Sequence, residues 1–242
     1  MFNIWRTFRR FWETDRGLSI LLFLLVVLIF VVPASGFTKA FSRIVIDALF
    51  TLLMLAGVAA VSKQKTATIA VCGVAVAGLA LRWLGQFAPS QSMEIAIALS
   101  AVASVVTLAY VVLAQVLRAG PVNKHRIMGA IAVYLLFGLA WGESYFALAL
   151  WDPGSFSVGP SVASIPESWM YFSFVTLTTV GYGDITPVSS VARSLAILEA
   201  LTGQLYPAIL LARLVALEVG SPRDRQLGDD SDGHEEDPRE GP

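Results

Sequence analysis

The sequence predicts an all-α polytopic membrane protein with six transmembrane helices. Of its 242 residues, 56% are hydrophobic and 14% are charged, whereas a soluble domain carries roughly 25% charged residues. The mean hydropathy is +0.69. The apolar residues gather into six stretches, each able to cross the hydrocarbon layer together with its flanks: 18–32, 44–61, 66–83, 93–117, 127–150 and 191–219.

The first 16 residues differ from the apolar stretch that follows them. Apolar residues recur there with a helical period around Arg6, Arg9 and Arg10, which is typical of a helix lying on the cytoplasmic membrane surface. The stretch 18–32 then predicts an uncleaved transmembrane helix. A secretory signal is the alternative, because small residues follow it at 33–36.

The basic residues predict the orientation of the chain. Most of them fall in segments that share one side of the membrane: Arg6, Arg9, Arg10, Arg16, Lys63, Lys65, Arg118, Lys124 and Arg126. Because positive residues favour the cytoplasm, both termini are predicted to be cytoplasmic. The plain composition of the first four stretches favours a prokaryotic inner membrane. Cys72 is the single cysteine, which excludes an intrachain disulfide.

A few charged residues lie within the apolar stretches. Arg43 and Asp47 stand one helical turn apart and are expected to pair. Glu143 and Glu199 lie in the fifth and sixth stretches, where a charged carboxylate is costly. For Glu199 we expect a structural role, with its carboxyl group bonded to hydroxyl groups such as those of Thr176 or Thr178. A direct ion site is the alternative.

One short segment carries the most distinctive chemistry. Residues 178–184 read Thr-Thr-Val-Gly-Tyr-Gly-Asp. Gly181 and Gly183 can adopt a positive φ at little steric cost, so that successive carbonyl groups can face one axis. An ordinary surface turn is the alternative. The segment resembles the selectivity filter of potassium channels.

The resemblance implies how this segment works. The carbonyl groups of Thr179, Val180, Gly181 and Tyr182 and the hydroxyl group of Thr179 would coordinate K⁺, with Gly183 completing the filter. Four copies of the chain are implied, because one loop supplies a quarter of each oxygen ring. K⁺ is then the permeant ion, and neither a resident cofactor nor an enzymatic activity is predicted.

The residues before the filter predict a short helix at 165–177, opened by a capping box of Ser164 and Glu167. It is too short to cross a bilayer and is therefore expected to be re-entrant. The resemblance assigns support of the filter to Thr178, Asp184, Tyr171, Phe172 and Val175. Phe172 lacks the donor of the tryptophan found there in many relatives, and Val175 replaces an acid of one bacterial channel. The inactivation behaviour of those relatives is therefore not implied.

The sixth stretch resembles the inner helix of the same family. Gly203 matches its hinge glycine, although close helix packing also accounts for a glycine here. One helical face is then implied to line the cavity and the gate: Gly203, Gln204, Pro207, Ala208, Leu211 and Val215. No basic residue occurs in 96–116, so gating by a charged fourth helix is not predicted.

These patterns predict five parts: a cytoplasmic amphipathic helix (1–16), a four-helix transmembrane domain (17–117), a cytoplasmic linker (118–126), a pore domain (127–219) and an acidic disordered tail (220–242). The predicted function is passive, selective K⁺ conduction by a homotetramer embedded in lipid, without nucleic acid. The alternatives are a subunit of a cation transporter and a non-conducting accessory protein.

Overall fold

The computed structural model describes residues 16–35, 39–61, 65–87, 90–117, 124–159 and 168–219. The predicted interfacial helix, the capping box at 164–167, most of the linker and the acidic tail lie outside these ranges. Within them, a helix occupies each of the six predicted apolar stretches. The helices are α1 (Arg16–Val26), α2 (Lys39–Val61), α3 (Lys65–Phe87), α4 (Gln91–Val116), α5 (Lys124–Trp151), α6 (Ser168–Leu177) and α7 (Ser190–Val219).

The lengths of these helices fit a multi-pass membrane protein. Four apolar stretches within the described residues are long enough to cross a bilayer: Gly17–Ala34, Gln91–Val116, Arg126–Trp151 and Ser190–Arg213. The first of them is α1 continued by a π-helical turn, Val27–Val31, and a short α-helical turn, Val32–Ala34. Helices α2 and α3 contain shorter apolar segments, Ile44–Val58 and Val71–Gly85. The prediction of six spans therefore stays a prediction for these two.

Helix α5 lies at the centre of the described fold. It packs against α1 and α4 on one side and against α6 and α7 on the other. Its residues Val133 and Leu136 are fully buried in the main apolar core, together with Leu21 of α1 and Leu108 of α4. Because α5 is apolar around most of its circumference, it can bury several faces at once. It thus joins the amino-terminal helices to the part of the chain that holds residues 178–184.

A two-stranded antiparallel sheet corrects the all-α prediction. Strand β1 (Phe156–Val158) pairs with β2 (Ile185–Pro187), and Ser157 stands opposite Thr186. Two further bonds extend the pairing: the Gly159 amide donates to the Asp184 carbonyl oxygen (2.8 Å), and the Val188 amide donates to that of Ser155 (2.8 Å). A three-residue strand is too short to show a period of two in the sequence. The sheet anchors the carboxyl end of residues 178–184.

An ion pair joins two of the amino-terminal helices. Asp47 of α2 forms a salt bridge with Arg82 of α3, and the Arg82 guanidinium lies 4.4 Å from the centre of the Phe50 ring. Arg82 also interacts electrostatically with Glu143 of α5. The expected partner of Asp47 was Arg43, whose side chain lies outside the described part of the structure. The Asp47–Arg82 pair therefore joins α2 to α3.

We expect replacement of Arg82 alone by leucine to lower stability by about 1–3 kcal/mol, between the values for exposed and buried pairs. The substitution leaves the Asp47 carboxylate, which is 35% exposed, without its ion-pair partner in apolar surroundings. The double change Asp47→Leu/Arg82→Leu removes both charges and should cost less than Arg82→Leu alone. Thermal unfolding of the detergent-solubilised protein measures both. If the stability lost in the double variant equalled the sum of the losses from the two single changes, Asp47 and Arg82 would not be energetically coupled.

Candidate functional site

Residues 178–184 connect α6 to β2, and their backbone alternates in the sign of φ. Positive values occur at Thr179 (φ 60°), Gly181 (φ 62°) and Gly183 (φ 80°), and at no intervening residue. Such alternation turns successive peptide groups of an extended chain so that their carbonyl groups can point the same way. Thr179 does this although its β-branched side chain disfavours a positive φ. The two glycines behave as predicted.

The carbonyl groups of residues 179–183 have no hydrogen-bond partner in the described part of the chain. The amide groups, in contrast, point back to α6: Thr179 donates to the Thr176 carbonyl oxygen and Val180 to that of Val175, both at 2.9 Å. The segment therefore uses its donors to attach itself to α6 and leaves a row of oxygen atoms free for a ligand.

Two apolar side chains of the same segment are exposed on the surface of the single chain. Val180 is 52% and Tyr182 is 71% exposed in the single chain. No atom lies within 4 Å of a Cβ built on Gly181 or Gly183. An exposed valine and tyrosine beside unpartnered carbonyl groups leave an apolar surface that a second molecule can cover.

Helix α6 is positioned by close contacts with glycines of its two neighbours. A Cβ on Gly138 of α5 would overlap the Phe174 ring, and one on Gly142 would lie 3.1 Å from the Cα of Met170. A Cβ on Gly203 of α7 would overlap the carbonyl oxygen of Leu177, the last residue of α6. The absence of side chains at these positions lets α6 enter between α5 and α7.

An aromatic cluster lies behind the segment. Phe172 is buried against Tyr145, with ring centroids 4.8 Å apart, and against Phe156 of β1 at 5.8 Å. Ile185 of β2 belongs to the same cluster. Phe172 thus contacts this cluster through apolar packing alone, as expected for a ring that carries no hydrogen-bond donor. Val175, the other departure from the family pattern, contributes through its backbone carbonyl.

Tyr171 holds the carboxyl end of the segment. Its hydroxyl group donates to Asp184 Oδ2 at 2.7 Å, and its ring stacks on that of Tyr182 at 6.4 Å and 3°. The hydrogen bond to Asp184 raises the pKa of Tyr171 to about 12. Because the hydroxyl group keeps its proton until pH rises through the folded-state pKa, it can donate this bond at neutral pH. An acid at Val175 is therefore not needed to hold Asp184.

We expect Tyr171→Phe to destabilise the outer end of the segment while keeping the stack on Tyr182. The loss of a hydrogen bond to a charged group costs about 1.5–3 kcal/mol when it is shielded, and less here because the bond is exposed to solvent. Persistence of ion flux during prolonged recording measures the effect, with Tyr110→Phe on α4, an exposed tyrosine, as the matched control. Equal persistence in both variants would show that the bond carries no function.

The structure corrects the expected partners of Glu199. Its carboxyl group is fully buried and contacts Ser173 Oγ at 2.6 Å and the Tyr145 hydroxyl group at 2.5 Å. The expected donor Thr178 instead donates to the Phe174 carbonyl oxygen. The expectation that a hydroxyl group of α6 meets Glu199 is right, but the residue is Ser173, and Tyr145 of α5 was missed.

The predicted cavity face of α7 is exposed in the single chain. Leu211 is 64% and Val215 is 54% exposed, and Gln204, Pro207 and Ala208 are exposed as well. Pro207 lies inside the helix. The Gln204 amide nitrogen lies 3.3 Å from the Thr179 hydroxyl oxygen, which links this face to the inner end of residues 178–184. Only 11% of the apolar stretch of α7 is buried, against 50% for α5.

Comparisons with known proteins found a matching family model and several similar proteins. A family model described as "Ion channel" matches residues 131–218. Protein LctB of Bacillus caldotenax is 38% identical over 87 residues, which are 34% of this chain and 64% of that protein. Protein LctB of Geobacillus stearothermophilus is 41% identical over 89 residues, 37% of this chain and 61% of that protein.

A plant relative carries an informative name. Two pore potassium channel c of Oryza sativa subsp. japonica is 36% identical over 84 residues, 35% of this chain and 18% of that protein. The chain thus spans less than two thirds of the length of each of these curated relatives. No solved structure matched the chain. The residues matched by the family model, 131–218, include most of α5, all of α6 and residues 178–184, and nearly all of α7.

Proposed function

We propose that this protein, whose residues 131–218 match a family model described as an ion channel and which is similar to a plant two pore potassium channel, conducts K⁺ selectively and passively across a membrane. The single observation that carries the proposal is the row of unpartnered carbonyl groups on a backbone that alternates in φ. Oxygen rings of this kind can replace the hydration shell of K⁺. The family is one of channels, so no enzymatic activity is assigned.

In this proposal the carbonyl groups of Thr179, Val180, Gly181 and Tyr182 and the Thr179 hydroxyl group bind the ion. Gly183 allows the last turn of the backbone, and Asp184 places a negative charge at the outer end. One chain supplies too few oxygen atoms to enclose a cation. Four identical copies around one axis would complete each ring.

The exposed surfaces of the single chain support such an assembly. Val180 and Tyr182 beside the carbonyl groups, and Leu205 and Ile209 on α7, are apolar side chains that are more than half exposed. Some of these exposed residues would contact neighbouring copies and others would face the cavity. An ordinary membrane helix covered by lipid explains exposed leucines, but not an exposed loop with free carbonyl groups, since lipid cannot solvate them.

The proposed conduction path continues along α7. Gln204, Pro207, Ala208, Leu211 and Val215 would line the cavity and its inner gate, whereas Gly203, which is buried against Leu177 of α6, would lie beside that face. The lower part of this face is apolar, so a narrow state could exclude water and stop conduction. Gating by charges on α4 is not part of the proposal, because residues 96–116 carry none that are basic.

The proposed location is a prokaryotic inner membrane, with six spans, both termini in the cytoplasm and lipid around the assembly. In this arrangement α1–α4 surround the pore formed by α5, α6, residues 178–184 and α7. Helices α2 and α3, each 23 residues long, are long enough to cross about 30 Å of hydrocarbon at 1.5 Å per residue.

Purified protein in liposomes tests the function. A K⁺ gradient should drive K⁺ efflux that Ba²⁺ blocks, and an equal Na⁺ gradient should drive far less. Saturating, ion-coupled uptake would favour a transporter subunit instead. A homogeneous preparation without any flux would favour a non-conducting accessory protein. Cross-linking in detergent reports independently whether four copies assemble.

A further inference from the structure

We propose that Glu199 is held as the neutral carboxylic acid and acts as a positioning residue for the filter, because its proton completes a chain of hydrogen bonds from α7 through α6 to α5. The inference rests on the proposed function for its effect on K⁺ flux. The protonation state itself follows from the geometry, and it can be tested without any flux.

Three short contacts meet at Glu199 and Ser173. The Tyr145 hydroxyl oxygen lies 2.5 Å from Glu199 Oε2, and Ser173 Oγ lies 2.6 Å from Glu199 Oε1. Ser173 Oγ also lies 2.7 Å from the carbonyl oxygen of Gly138. All three contacts are buried. They connect three helices: Glu199 is on α7, Ser173 on α6, and Tyr145 and Gly138 on α5.

A count of protons decides the charge of Glu199. A carbonyl oxygen can only accept, so the contact with Gly138 uses the single hydroxyl proton of Ser173. Tyr145 supplies one proton for its own contact with Glu199. The remaining contact, between Ser173 Oγ and Glu199 Oε1, needs a third proton, and neither hydroxyl group has one left. A protonated Glu199 supplies it and donates to Ser173, so that every contact is a hydrogen bond.

The ionised form fits the same geometry poorly. A carboxylate leaves two protons for three contacts, so two oxygen atoms would face each other without a proton between them. Within the described residues no basic side chain forms a salt bridge with Glu199. The titratable groups that interact with it are Tyr145 and Tyr134 of α5, and from α6 it meets the Ser173 hydroxyl group. No positive charge among these groups offsets a buried negative charge.

The proton matters to the filter because Ser173 belongs to the helix that carries the filter. The Val175 carbonyl oxygen, two residues beyond Ser173, accepts the Val180 amide of the filter. Loss of the Glu199 proton would break one of the bonds of Ser173, either to α5 or to α7. Helix α6 and the Val175 carbonyl group would then be held less firmly, and the filter would lose part of its support.

Glu199→Gln is the conservative test, because its amide group provides a donor toward Ser173, as the neutral acid does. The glutamine amide group donates to Ser173, and its oxygen atom accepts from Tyr145. We expect K⁺ flux through Glu199→Gln within about twofold of the unmodified protein, and at least about tenfold lower flux through Glu199→Ala, which removes two buried bonds. As pH rises, the unmodified protein should lose flux while Glu199→Gln should not. Flux through Glu199→Gln as low as through Glu199→Ala would overturn the proposal.

Infrared spectroscopy tests the same inference without conduction. A protonated carboxyl group has a C=O stretching band separate from the carboxylate bands. At neutral pH the difference spectrum between the unmodified protein and Glu199→Gln should contain this band; a difference spectrum without it would overturn the proposal even if Glu199→Ala fails to fold. If the unmodified protein passes no K⁺, the proposed function fails, while the infrared comparison still decides the state of Glu199.

Discussion

Gly181→Ala is expected to abolish K⁺-selective flux. Gly181 has a φ of 62°, and an L-residue with a side chain pays about 1–2 kcal/mol in this region. In the proposed tetramer the four substitutions fall at one level of the filter, so the strain sums to about 4–8 kcal/mol. A rotation of the peptide group relieves the strain but turns the carbonyl group away from the axis. The oxygen ring would then be incomplete.

Liposome flux with K⁺ and with Na⁺ gradients measures the result. The matched control is Gly73→Ala: Gly73 lies on α3, its φ is not positive, and no atom lies within 4 Å of a Cβ built there. This control should be neutral or gain up to about 1 kcal/mol from the higher helix propensity of alanine. Undiminished selectivity in Gly181→Ala would exclude residues 178–184 as the filter.

The sequence could predict the helices and the positive φ of Gly181 and Gly183 because both depend on local patterns. An apolar stretch of suitable length specifies a membrane helix by itself, and Gly181 and Gly183 have the positive φ that their residue type allows. Thr179 shows where this reasoning stops. Its φ of 60° contradicts the local preference of threonine, and the hydrogen bond from its amide to Thr176 and its contact with Gln204 come from the fold.

The side-chain pairs were harder to predict because they join distant parts of the chain. Asp47 and Arg82 are 35 residues apart, and Tyr145 and Glu199 are 54 apart. Each pair depends on how two helices rotate and pack, which a pattern within one helix does not encode. The sequence marked Asp47 and Glu199 as costly in a membrane and therefore in need of partners. Only helix packing identifies the partners. The sheet of β1 and β2 was missed because its strands have only three residues each.

Gly203→Ala is expected to destabilise the junction between α6 and α7. A Cβ at this position would overlap the Leu177 carbonyl oxygen and lie 2.8 Å from its carbonyl carbon. These are backbone atoms at the end of α6, so they cannot turn away as a side chain can. Overpacking costs about 1–3 kcal/mol in each copy, which is about 4–12 kcal/mol in four copies. We expect a lower melting temperature and a smaller fraction of tetramer in detergent.

The matched control for this change is Gly57→Ala. A Cβ on Gly57 would come within 2.6 Å of the Leu108 Cδ1 atom, the end of a flexible side chain, so the cost should be smaller. A loss of stability in Gly203→Ala well beyond that in Gly57→Ala would assign Gly203 to packing. An unchanged melting temperature with altered gating would assign it to a hinge instead.

Bending of α7 and its packing against α6 can be tested separately, because they depend on different atoms. Pro207 has no amide proton, so the Gly203 carbonyl group lacks its usual donor four residues later, and α7 can bend at this turn whatever residue stands at 203. Pro207→Ala restores that donor and leaves the contact with Leu177 unchanged. We therefore expect Pro207→Ala to stiffen α7 and change gating while keeping or raising stability, the reverse of Gly203→Ala. If both variants lower the melting temperature equally, bending and packing at this turn cannot be separated.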